Sequence, residues 1–273
     1  MRENELDTIT YKTGGQTRRA VLCILVGAAI LLASLSLQSR WGLLPFSLSA
    51  VPTAAPEKTQ SSERETRELA LSAHSWYALQ LGAFTQENAA RQLAQEFISR
   101  GAAGYVYHDG DTYRVLAAAY PTRAEAQGVQ QRLSEQSVST YIHPFSFAAL
   151  TLRAGGEQGQ VRSLSETLSY LDGLDEKLYA LSTALDAREM EDGAVRAALL
   201  SEGTTCQALL RTLSSAFGKD TPASVQKVCD ILTLIAAEGN ALSNENSAAR
   251  TGAALKRCQL TVFFGLLDFT QSL

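Results

Sequence analysis

The sequence predicts a membrane-anchored α+β protein with one transmembrane helix, a small domain of βαββαβ order and a C-terminal all-α four-helix bundle. Three observations carry this reading. Residues 20–37 form an 18-residue run without charge. A segment beginning at Tyr77 repeats itself 36 positions later. Beyond residue 160, leucines recur at steps of three and four, the spacing of one helix face.

The apolar run AVLCILVGAAILLASLSL reaches the length that spans a hydrocarbon core of ~30 Å at about 1.5 Å per residue. Lys12, Arg18 and Arg19 precede it, whereas only Arg40 follows closely. This asymmetry predicts a cytoplasmic tail (residues 1–19), a helix ending near Trp41 (residues 20–41) and an extracytoplasmic remainder. The alternative is a cleaved signal peptide. Its apolar core is normally ~7–15 residues and ends in a small-x-small site, but the nearest candidate, Leu48-Ser49-Ala50, begins with a bulky residue. Residues 42–72, rich in Pro, Ser, Thr and mixed charge, read as a flexible tether.

The repeat sets the fold of the next domain, residues 73–148. YALQLGAFTQENAARQLAQEF from Tyr77 aligns with YRVLAAAYPTRAEAQGVQQRL from Tyr113. Each copy opens with period-two alternation and continues with apolar residues at helical spacing. Thr85 and Thr122 are candidate helix caps, the latter with Glu125 three residues on. Between the copies, Asp109-Gly110 marks a hairpin. The resulting order is a ferredoxin-like, RNP-like βαββαβ sheet with both helices on one face. Leu79, Leu81 and Val115 should pack against Ala90, Leu93, Phe97, Val129 and Leu133. Alternation sends Ala78, Gln80, Arg114 and Leu116 to the opposite, open face.

These residues resemble the SPOR domain family, whose pattern runs aromatic-x-V-Q-x-G-x-F, an Ala/Leu helix, Gly, then Y-R-V and a second Ala/Leu helix. Here the corresponding residues are LQLGAF from Leu79, Ala89, Ala90, Leu93, Gly101, Tyr113-Arg114-Val115, Tyr120, Ala126 and Leu133. Ala118 departs from the pattern, standing where Gly82 stands in the first copy. The resemblance implies non-catalytic binding of peptidoglycan glycan strands stripped of their peptides, in cell division or sporulation. The expected ligand face holds Gln80, Arg114, Ala78, Leu116 and Tyr107. An amide such as Gln80 suits sugar hydroxyl and N-acetyl groups, Arg114 suits the lactyl carboxylate of a muramic acid, and Tyr107 offers a flat ring.

In residues 160–273, a first helix is expected along Leu164, Leu168, Leu171, Leu178, Leu181 and Leu185, opened by a capping box at Ser163–Glu166. Others are expected over 195–217, from Thr221-Pro222 to Gly239-Asn240, and over 247–269. The apolar VFFGLL segment of the last helix should pack into the bundle, with a protein partner or the membrane surface as alternatives. All three histidines, His74, His108 and His143, precede this region, so no histidine-based catalysis or metal site is expected within it. A wall-remodelling enzyme or regulator housed here is the alternative function. Cys23, Cys206, Cys229 and Cys258 form no CxxC pair, and the last three suit packing better than a disulfide framework. No metal or cofactor is expected. Net charge is −4, and an RNA-binding reading of the same topology lacks the basic surface and sheet motif it would require.

Overall fold

A computed structural model of the chain describes residues 63–244 and 247–273. The expected cytoplasmic tail, the apolar run and residues 42–62 of the tether lie outside the described residues. Among the described residues, no helix is long and apolar enough to cross a membrane.

The chain enters through β1 (Arg64–Leu71), then β2 (His74–Phe84), α1 (Glu87–Ile98), β3 (Tyr105–Asp109), β4 (Thr112–Tyr120), α2 (Arg123–Glu135) and β5 (Tyr141–Phe147). From β2 to β5 this is the expected βαββαβ order, with an antiparallel sheet ordered β3-β4-β2-β5. Gly110, at φ +60°, turns the β3–β4 hairpin where Asp109 pairs with Thr112. Pro144 lies within β5, which an edge strand tolerates because one row of its amides needs no partner.

One sheet face packs on α1 and α2. Leu79, Ala117 and Ile142 meet Ala126, Val129 and Leu133, while Val115 and Leu81 meet Ala90, Leu93 and Ala94. Thr122 caps α2 by accepting from Glu125 N, as expected (3.2 Å). The first cap is different: α1 starts after Gln86 with no side-chain cap, so Thr85 does not serve.

The opposite face is not open. After β5 come β6 (Leu150–Glu157), α3 (Gln158–Leu171), α4 (Leu174–Asp186), α5 (Asp192–Phe217), α6 (Ala223–Ala241) and α7 (Ala248–Gln271). β6 pairs with β1, residues 64–71 of the expected tether, in a two-stranded antiparallel ribbon. Leu69 and Leu71 of this ribbon reach the same core as Trp76 and Phe147 of the sheet. α7 is buried nearly all round and lies between the sheet and the other helices. Phe263 stacks on Phe147 (5.5 Å between ring centres), and Phe264 on Tyr105 and Tyr107 (5.4 and 4.2 Å). Gln259 Nε2 donates to the carbonyl of Ala119 (3.3 Å), and Arg257 Nη1 to that of Ala103 (3.2 Å). The VFFGLL segment therefore packs inside the protein, and sheet and helices share one core.

The expected four helices are five, α3 to α7. Gly173 (φ −115°, ψ 2°) divides the leucine-repeat helix into α3 and α4. The box at Ser163 lies inside α3, which is instead capped by a reciprocal Glu157–Gln160 box. α5 runs unbroken through Gly203, whose role is close approach: a Cβ there would lie 3.3 Å from Gly239 Cα of α6. Cys206, Cys229 and Cys258 are free and buried, and burial pushes the Cys206 thiol up to about 11.

The α3–α4 break places two carboxylates against β2. Asp172 accepts from Ser72 N and Oγ, both at 2.8 Å. Buried Asp175 accepts from Trp76 Nε1 and contacts His74 Nδ1, both at 2.9 Å. The hydrogen bond to Asp175 raises the His74 pKa above its ordinary 6.5, against the lowering effect of burial. Stability from this shift is complete below the unfolded value and lost as pH rises through the higher folded value. Urea unfolding should thus show the margin of wild type over His74→Gln shrinking as pH rises above His74's ordinary 6.5. Phe264→Ala should lower unfolding free energy by about 3–5 kcal/mol, since it empties the junction between sheet and helices.

Candidate functional site

Exposure along the second sheet face runs from buried to open. At the β2 start, His74 and Trp76 pair across β5 with Phe147 and Phe145, beneath the helices. At the far end Gln80 pairs with Tyr141, and only there does the face meet solvent. Opposed residues of an antiparallel pair share a face, so His143 and Tyr141 continue the row of Phe147 and Phe145. Tyr141 is 61% exposed, a large ring lying open beside polar side chains.

The five residues expected on this face separate accordingly. Ala78 and Leu116 are fully buried in the core shared with α7. The open-face expectation fails for them because the sheet meets α7, and neither presents a surface to a ligand in this arrangement. Tyr107 is half-buried, stacked on Phe264 and edge-on to Phe145 (5.4 Å). Burial first, then Asp268 and Asp109, raise its pKa, which keeps the phenol protonated. Gln80 and Arg114 lie together at the open end, where Arg114 Nη1 donates to Gln80 Oε1 (3.0 Å).

Two bulges set this geometry. The β2–β4 register shifts on either side of Gln80, so that Leu79 pairs with Ala118, Gln80 with Leu116 and Gly82 with Val115. Each shift sharpens the local twist and re-aims the side chains beside it. Arg114 Nε also donates to Asp109 Oδ2 (2.8 Å), on the neighbouring strand. The guanidinium is thereby oriented and its charge largely offset. Gln80 accepts from Arg114 with its amide oxygen and keeps its NH₂ group to donate. Burial and the positive Arg114 lower the pKa of His143, leaving a neutral imidazole that both donates and accepts near pH 7. The end is therefore a polar platform of near-zero net charge with an exposed ring at its rim.

Asp109, Tyr141 and His143 were not among the expected site residues. The signal for two of them is the period-two row Tyr141, His143, Phe145, Phe147, which is cut short if Pro144 is taken as a strand end. Asp109 was assigned to the turn, and only the strand pairing brings it to Arg114.

No curated protein and no solved structure shows a significant match to the chain. The family comparison does: a model described as SPOR domain matches residues 73–142, from just before β2 to the second residue of β5. The four-stranded sheet with two helices on one face, and the residues that build it, thus identify residues 73–142 of this chain as a SPOR domain.

Proposed function

We propose that this protein is a membrane-tethered, non-catalytic receptor for peptidoglycan glycan strands, which it engages through the open end of its SPOR sheet. The observation that carries this reading is the platform of Gln80, Arg114, Asp109, His143 and exposed Tyr141 on a domain of this family. Amino-sugar strands offer hydroxyl and N-acetyl groups to neutral donors and acceptors, and apolar ring faces to an aromatic plane. A platform with Arg114 already paired to Asp109 favours such a ligand over a highly charged one.

In this proposal residues 20–41 anchor the chain, with the N-terminus cytoplasmic and the folded part at the wall during division. The tether is shorter than composition alone suggests, since β1 takes up its last residues. A coil over 42–63 has a typical span of roughly 25 Å. The helical region has a structural role here: it completes the second face of the sheet and confines the ligand to one end.

Full-length protein in detergent, mixed with amidase-stripped sacculi, should co-sediment with them. Tyr141→Ala should weaken binding by about tenfold, as loss of an aromatic anchor does. Gln80→Ala should weaken it less. Leu116→Ala should instead act on the fold, lowering unfolding free energy by about 2–5 kcal/mol. No pelleting by wild type would refute the glycan reading, and unchanged pelleting by both Tyr141→Ala and Gln80→Ala would refute the sheet end as its site.

A further inference from the structure

Among the described residues, β6 has a strand on one side only, β1. Alternate amides and carbonyls of an antiparallel strand turn away from its partner, so one backbone row of β6 points away from β1. The other strand edges are blunted: β3 has five residues, β5 carries Pro144, and β1 carries Arg64, Glu65, Arg67 and Glu68. From Leu150 to Gly156, β6 has no proline and a single charge, Arg153. Its Gly155-Gly156 pair leaves room for another backbone to come close.

Beside this edge runs a groove of about 240 Å³. Four consecutive β6 residues, Leu152 to Gly155, line it. Consecutive side chains of a strand point to opposite faces, so a wall made of all four is the strand's edge rather than one of its faces. Across from it stand α3 and the ends of α5, α6 and α7. Val225 and Phe269 give the groove a buried apolar floor, and Leu164 and Phe217 are half-buried in its walls. Leu152 and Ala154 lie on the β6 face that packs on the shared core, whereas Arg153 is exposed on the other face, 3.4 Å from Glu68 of β1.

We infer that this edge takes a short extended peptide of a partner protein, which adds to the β1–β6 ribbon as a third strand. An extended polypeptide supplies amides and carbonyls at the repeat that a strand edge offers, which a sugar, a lipid or an anion does not. Residues directly opposite each other share a face, so the peptide residues paired with Leu152 and Ala154 turn into the groove, towards Leu164 and Phe217. The residue between them lies on the outer face beside Arg153. The pattern recognised is therefore apolar–acidic–apolar, with the acidic residue in a cross-strand pair with Arg153. This surface does not depend on what binds at the sheet end.

The test uses full-length protein in lipid nanodiscs, which keep free detergent out of an apolar groove. The probe is a fluorescently labelled peptide, Lys-Thr-Ile-Glu-Ile-Thr-Lys with blocked ends, and binding is read by fluorescence anisotropy. Methylating the two Ile amides removes one row of backbone donors; methylating the Thr and Glu amides removes the other. Strand addition uses a single row, so one methylated peptide should bind at least roughly tenfold more weakly while the other binds like the parent. Arg153→Glu should weaken the parent peptide roughly three- to tenfold and strengthen a version with Lys in place of the central Glu. Arg153 is exposed, so the thermal midpoint of this variant should match that of wild type. No binding of the parent peptide by wild type, or an equal response to the two methylation patterns, overturns the proposal. So does a wild-type dimer in sedimentation that Arg153→Glu dissociates, because a second copy then holds the edge.

Discussion

α7 has no face left for solvent along most of its length: one side meets α4, α5 and α6, and the other meets β3 and β4. Phe263 and Phe264 are the contact points, perpendicular to each other and each stacked on sheet aromatics. A sheet with helices on one side only must leave its other side wet or find a cover. Here that other side carries Trp76, Tyr105, Phe145 and Phe147, far more apolar surface than a solvated face tolerates. The cover comes from the end of the chain, more than a hundred residues after the sheet is complete. The remaining architecture follows from this constraint. The β1–β6 ribbon brackets the SPOR domain, α4 to α6 pack around the helix that closes it, and α3 packs on α5 and the ribbon.

The seam between sheet and helices is fixed by polar contacts as well. Hydrophobic contact alone is non-directional and would permit α7 and α4 to slide over the sheet. The acceptor oxygens of Asp172 and Asp175, aimed at Ser72, His74 and Trp76, set the position of α4. Gln259, Arg257 and Lys256 do the same for α7, donating to the carbonyls of Ala119, Ala103 and Gly101. The interruption at Gly173 thus has a structural use: it turns the chain so that Asp172 and Asp175 both reach β2.

This cover decides which part of the second sheet face meets solvent. Most of the second face is core, and what stays open is the end that carries Gln80, Arg114, Asp109, His143 and Tyr141. Within it, the pairing of Arg114 with Asp109 and Gln80 exchanges a free cation for an oriented, nearly neutral surface. Neutrality and an exposed ring favour recognition by shape and hydrogen bonding over recognition by charge.

By itself the sequence determined the elements whose signals are local. The 36-residue repeat, the Asp109-Gly110 turn and the Thr122 cap yielded the strand and helix order of the SPOR domain, and period-two alternation yielded its helix-facing core. Helical periodicity likewise located the C-terminal helices to within a few residues, apart from the break at Gly173. Tertiary structure alone decided the rest, because it depends on contacts between distant segments. β1 reads as tether, since only two of its residues turn into the core and its partner strand lies some eighty positions later. Arg114 and Gln80 belong to one face by alternation, but that they bond to each other, and to Asp109, is a product of strand pairing and two bulges. Whether Ala78 and Leu116 meet water depends on where α7 docks. Alternation reports which side of a strand a residue is on; only the folded chain determines what lies on that side.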